Sequence, residues 1–134
     1  MNKALLDTNI VSAFIRGQEE ALSYARNYLQ FHERFTISTV TYYEIMRGIK
    51  AISSRKKDKI FRSFMAECEL IDFDRRIADR AAEIYTTLRR KGMLVEDADI
   101  LIAATALEHG LNMVTGNTRH FKRIDGLTLE NWLE

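Results

Sequence analysis

An α/β fold, with a single parallel sheet of four or five strands flanked by helices, is what this sequence predicts, on three observations. Short apolar runs alternate with longer segments whose apolar residues recur at helical spacing. The run Ile100 to Leu107, in which only Thr105 is polar, suits a helix buried on nearly every side and is too short to cross a bilayer. Strands separated by helices pair in parallel through right-handed crossovers, and this puts helices on both faces of the sheet.

Taken in order, Lys3 to Leu6 reads as a buried first strand ended by Asp7-Thr8-Asn9, and Ile10 to Ile15 as a helix broken near Gly17. Glu19 to Glu33 carries Leu22, Ala25, Tyr28 and Leu29 at helical spacing, an amphipathic helix. Phe35 to Ser38 alternates as a second strand and runs into a helix from Thr39 to Ala51. Arg55 to Cys68 sets Ile60, Phe61, Phe64, Met65 and Cys68 on one helical face and basic residues on the other. Leu70 to Phe73 is a third strand, and Ile77, Ala78, Ala81, Ala82, Tyr85 and Leu88 mark a long helix that stops near Gly92. The apolar helix is expected to have Asp97 as N-cap and Gly110 as C-cap. Leu111 to Thr115 is a fourth strand and Leu127 to Leu129 a last, edge strand.

At 134 residues with 46% hydrophobic and 29% charged residues, the chain reads as one domain, residues 1–134, able to bury a core without disulfides. It shows no repeat or linker, and with no proline its turns fall to six glycines and to Asn, Asp and Ser. The lone Cys68 reads as a small core residue; with no Cys/His cluster for zinc, a reducing cytoplasm fits best. No run is apolar enough to span a membrane, and Met-Asn-Lys-Ala-Leu-Leu-Asp offers no signal-peptide core. The net charge of +1 is no signature of a nucleic-acid binder, yet basic residues gather at Arg55 to Arg62, at Arg89 to Lys91 and at Arg119 to Arg123. Each cluster alone reads as a solvated face; around an acidic centre they suit a phosphate backbone.

Ligands of open α/β sheets gather beyond the carboxyl ends of the strands. Asp7 ends the first strand, Glu44 follows the second, Asn117 follows the fourth, and Asp99 opens the buried helix. Asp7, Glu44 and Asp99 are therefore expected to converge. Carboxylates brought together raise each other's pKa, a conflict that a divalent cation removes, and all-oxygen donors favour Mg²⁺ or Mn²⁺ over zinc. The chemistry implied is metal-assisted phosphodiester hydrolysis. Each acid also has a plainer reading: Asp7 as a helix cap, Glu44 as the partner of Arg47, Asp99 as a first-turn acid favoured by the helix dipole. Asp72, Asp74 and Asp79 read as surface or turn residues.

Four stretches carry a family resemblance: Leu-Leu-Asp7-Thr-Asn; Ile-Ser-Thr-Val-Thr-Tyr-Tyr-Glu44-Ile with Arg47-Gly48; Asp99-Ile-Leu-Ile-Ala-Ala; and Val114-Thr-Gly-Asn117-Thr-Arg-His-Phe121. In order and spacing they resemble PIN-domain ribonucleases, most closely VapC-type toxins of toxin–antitoxin pairs, and the likeness extends to the ending Gly126-Leu-Thr-Leu-Glu-Asn-Trp132. The resemblance implies a PIN-like fold and a Mg²⁺- or Mn²⁺-dependent endoribonuclease with Asp7, Glu44 and Asp99 as acidic ligands. It further implies a homodimer, a VapB-like antitoxin lying across the active-site groove, and an RNA substrate, transfer RNA in the members most alike. Asn117 stands where many members carry a fourth acid, so a weaker second metal position is expected, with Asn117 acting through its carbonyl or a water. Thr8 and Thr115 are candidates for holding waters or phosphate oxygens, or for local turns. Arg47, Arg119 and Lys122 are the candidate RNA contacts. Two rivals stay in view: a PIN-like RNA- or protein-binding module without strong catalysis, and an α/β phosphatase, for which Asn9 replaces the second Asp expected two residues after the nucleophile.

Overall fold

The computed structural model describes residues 2–134. Strand alternation divides the chain between two cores. In β1 (Ala4–Leu6) the side chains of Ala4 and Leu6 enter one apolar cluster and Leu5 the other, and in β4 (Asn112–Val114) Val114 and Met113 divide the same way. The first cluster is closed by α1 (Thr8–Ile15), α2 (Glu19–Tyr28), α3 (Thr39–Ile52) and α4 (Arg55–Met65), through Ile10, Tyr28, Ile45 and Phe61. The second is closed by α5 (Arg75–Arg90) and α6 (Asp97–Glu108), with Ile77, Leu88, Ile102 and Ala103 fully or almost fully buried. With β2 (Phe35–Ser38), β3 (Cys68–Ile71), β5 (Leu129–Glu130) and the short α7 (Thr118–Phe121), the described residues form a five-stranded parallel sheet between helical layers.

The strand order is β3-β2-β1-β4-β5. The chain walks outward from β1 through β2 to β3, then crosses back to place β4 on the other side of β1, so the order reverses at β1. The crevice beyond the carboxyl ends of β1 and β4 is the switch point at which such sheets hold ligands. Asp7 and Thr115 are the residues that leave those two strands.

Several boundaries differ from the sequence reading. The helix expected over Glu19 to Glu33 ends at Tyr28, where Phe31 and His32 N–H groups both turn back to the Tyr28 carbonyl and the chain reverses toward β2. The helix expected to reach Cys68 ends at Met65, and the third strand begins at Cys68, two residues before its expected start. Pairing with β2 imposes this: Phe35 N–H bonds the Glu67 carbonyl at 2.9 Å and the register runs from Phe35 with Cys68 to Ser38 with Ile71. Asp97 is the first residue of α6 and not its cap; Glu96 holds the cap position in extended backbone without a side-chain bond. At the other end His109 is the cap, and Gly110 follows it at φ +63°, the left-handed turn glycine adopts without strain. Asp74, read as a surface or turn residue, caps α5 by accepting from Ile77 N–H at 3.0 Å. Cys68 is buried, and its thiol is pushed up to about 12, mainly by burial.

Candidate active site

Asp7 leaves β1 with its own N–H bonded to the Val114 carbonyl of β4 at 2.9 Å, so the ladder holds its backbone. Its carboxylate accepts from Thr8 N–H at 2.8 Å and from the Thr115 hydroxyl at 2.7 Å. The cap reading of Asp7 is therefore correct, and it leaves the other reading intact, because one oxygen caps α1 and the other faces Thr115 across the switch point. Only 4% of the residue is exposed. Burial is the largest influence on it and raises its pKa to about 6; the two hydrogen bonds oppose this, and the charges of Asp99 and Glu44 add to it.

Glu44 projects from α3, which Ser38 starts by accepting from Thr41 N–H at 3.1 Å. The Thr8 hydroxyl donates to Glu44 Oε1 at 2.7 Å and also lies 3.1 Å from Thr41 Oγ1. Arg47 Nη2 is 3.8 Å from the second Glu44 oxygen, the i,i+3 pair read from the sequence. Asp99 lies in the first turn of α6, half-buried; burial again leads its upward shift, followed by the charges of Glu96 and Glu44, while His120 pulls it down. Among the described residues, neither Asp7 nor Asp99 has an Arg or Lys within ion-pair distance.

The fourth stretch supplies the neutral side of the site. The Thr115 hydroxyl, which donates to Asp7, also accepts from Asn117 N–H at 2.9 Å. Asn117 Nδ2 lies 2.8 Å from His120 Nδ1, a pairing in which the amide donates and leaves its carbonyl free for another partner. Sequence reasoning placed His120 only in a basic cluster; its spacing of three from Asn117 on a helical turn was the available signal. Asn9 accepts from Gly116 N–H at 3.2 Å and ties the first and fourth stretches together.

The structure thus brings Asp7, Thr8, Glu44, Thr115, Asn117 and His120 into one hydrogen-bonded neighbourhood, with Asp99 in electrostatic contact. The acids do not form a closed cage: among the described residues no three His, Cys, Asp or Glu side chains are gathered tightly enough to enclose an ion. The donors themselves, carboxylate oxygens and the Asn117 carbonyl with no thiolate among them, are of the hard kind that Mg²⁺ takes.

Residues 4–127 match the model of the PIN domain family. The chain belongs to the PIN-domain family. Its relatives include ribonuclease VapC2 of Rickettsia felis, 31% identical over 96% of this chain and 96% of that one. The tRNA(fMet)-specific endonuclease VapC of Salmonella typhimurium is 32% identical over 98% and 99% of the two chains. Among solved structures, VapBC2 of Rickettsia felis bound to a promoter DNA fragment superposes with a TM-score of 0.84 at 30% identity, covering 96% of this chain and 98% of that one. DNA-bound VapBC of Salmonella typhimurium superposes with a TM-score of 0.83 at 31% identity over 98% and 99%. This PIN domain is accordingly a VapC-type ribonuclease, and the expected fold is the observed one. Among the described residues no helix is long and apolar enough to cross a membrane.

Of the expected RNA contacts, Arg119 and Lys122 are exposed on and just after α7, while Arg47 is shared between Glu44 and the Tyr43 ring, 5.1 Å from its centroid. Arg123, of the same basic cluster, is instead engaged with the Met93 and Leu94 carbonyls.

Proposed function

We propose that this PIN domain is a Mg²⁺- or Mn²⁺-dependent endoribonuclease toxin whose ion is held by Asp7 and Asp99, with Glu44 completing the set. The observation that carries the reading is Asp7: a carboxyl buried at the switch point, raised to about 6, exposed to two further acidic charges and given no basic partner. A cation there relieves the repulsion that folding creates. When bound, the ion supplies charge neutralisation at the scissile phosphate and a water of lowered pKa. Glu44, held by the Thr8 hydroxyl, accepts a hydrogen bond from the attacking water and orients it. Thr115 fixes the Asp7 carboxylate, and Asn117, its amide turned to His120, offers a carbonyl in place of a fourth charge. Arg47, Arg119 and Lys122 steer the RNA backbone.

Transfer RNA is the proposed substrate, supported by the name of the Salmonella relative. A VapB-like antitoxin is the proposed partner, supported by the VapBC complexes among similar structures. A homodimer in the cytoplasm completes the proposal, which treats residues 1–134 as one nuclease domain. Purified protein incubated with total transfer RNA is expected to give discrete fragments with Mg²⁺ and none with EDTA. Asp99→Asn is expected to keep the circular dichroism of the wild type and to lose cleavage by a factor of at least about 10². Undiminished cleavage by that variant removes Asp99 from the mechanism, and the absence of metal-dependent fragments with wild type leaves the binding-module reading in its place. The phosphatase reading has no support at position 9, where the amide clips Gly116.

A further inference from the structure

Glu44 forms part of the wall of two grooves. One, of about 230 Å³, runs past Thr8 and Ser12 to Arg16 and Lys57. The other, of about 340 Å³, lies on the far side of α3 and has a different character: it is mostly apolar, floored by Val40 and Leu101 and walled by Tyr43 and Phe73. Tyr43 and Phe73 are 58% and 44% exposed, a large aromatic surface to leave in water beside a charged site.

The Phe73 backbone and the Tyr43 ring are each restrained. Phe73 N–H donates to the Thr39 hydroxyl at 3.1 Å, which pins the start of the β3–α5 loop to the first turn of α3. Arg47 restrains the Tyr43 ring from its position 5.1 Å from the centroid, and its guanidinium, which also lines the groove, puts a positive charge there. A preformed slot with two aromatic walls, a cation in its lining and a shared catalytic-site carboxylate matches the chemistry of a nucleotide: a flat apolar base for the rings and a phosphate for Arg47.

Resting on the ribonuclease reading above, we infer that the Tyr43–Phe73 groove is a base-binding subsite that stacks one unpaired nucleobase of the substrate next to the scissile phosphate. A base can enter only where it is free of its helical stack, so the slot selects loops and single strands over paired RNA. Because the lining is mostly apolar, it recognises the presence of an unpaired base more than its identity.

The test uses the full chain in EDTA at low ionic strength and an RNA stem-loop carrying 2-aminopurine at each loop position in turn. Wild type and Tyr43→Phe are expected to quench the fluorescence at one loop position. Tyr43→Leu, which keeps an apolar side chain without a ring, and Phe73→Ala are expected to lose the quenching and to bind the RNA roughly tenfold more weakly. Both sites are exposed, and circular dichroism verifies folding of each variant. Equal quenching by the ring-deleted variants overturns the subsite, as does absence of quenching with wild type. Sedimentation gives a further check: a wild-type dimer that Tyr43→Leu dissociates shows the groove filled by a second copy, which also overturns it. These failures are separable from failure of the nuclease reading, which is decided by whether wild type cleaves transfer RNA with Mg²⁺.

Discussion

Folding takes up a proton at Asp7 between its ordinary value of 3.8 and about 6, because the folded carboxyl is the weaker acid. The native state then binds more protons than the unfolded one across this range, so the contribution of Asp7 to stability is greatest below pH 3.8 and is lost as pH rises through about 6. In metal-free buffer, Asp7→Asn is therefore expected to stabilise the protein by about 1–2 kcal/mol at pH 7.5, part of the gain being offset by the altered bond to Thr115, and to give no gain near pH 3.5. Urea unfolding at the two pH values measures it; a variant less stable than wild type at pH 7.5 contradicts the repulsion argument. Thr115→Val removes the hydroxyl that favours the charged form of Asp7. It is expected to weaken Mg²⁺ binding by roughly tenfold, corresponding to a lost charge-assisted hydrogen bond of about 1.5 kcal/mol, as read by calorimetric titration.

At the scale of elements, α3 is the rod that carries Glu44, and its start is fixed by a buried cap. Ser38→Ala removes the acceptor for Thr41 N–H in a residue 1% exposed, and is expected to cost about 1–2 kcal/mol and to lower nuclease activity, because Glu44 sits one and a half turns downstream. Ser54→Ala removes the equivalent cap of α4, at a more accessible site on a helix that carries none of Asp7, Glu44 and Asp99. It is expected to cost about 0.5–1 kcal/mol with activity unchanged. Comparing the pair separates helix stability from site geometry. The helices were largely legible in the sequence because their periodicity is local. The ends of α2 and α4 and the start of β3 were not, because ladder bonds from Phe35 and the β2 register override the helical pattern there.

Across the whole molecule, the C-terminal segment seals the first core. Trp132 is fully buried, with its ring 5.5 Å from Tyr28, 6.2 Å from Phe14 and stacked 6.0 Å from Tyr24. Its indole N–H has no hydrogen-bond partner among the described residues. Trp132→Ala is expected to cost roughly 3–5 kcal/mol through the cavity it opens, whereas Trp132→Phe, which also removes the unpaired N–H, is expected to cost less than about 2 kcal/mol. Chemical denaturation followed by far-ultraviolet circular dichroism distinguishes the two. Equal losses show that the polar group is satisfied in solution.

Periodicity and strand-end composition by themselves determined the α/β class, the helices on both faces of the sheet, and the candidate acids Asp7, Glu44 and Asp99, since these patterns depend on neighbours a few residues away. Strand order was decided only in three dimensions, where packing on both faces of the sheet sets β4 beside β1. That placement joins Thr115 to Asp7 across 108 residues and brings the local Asn117–His120 pair to the same switch point. Pairing of β2 with β3 in turn brings Phe73 beside Tyr43. Contacts of such separation have no local signature, because they are selected by how whole layers pack and not by the residues on either side of them.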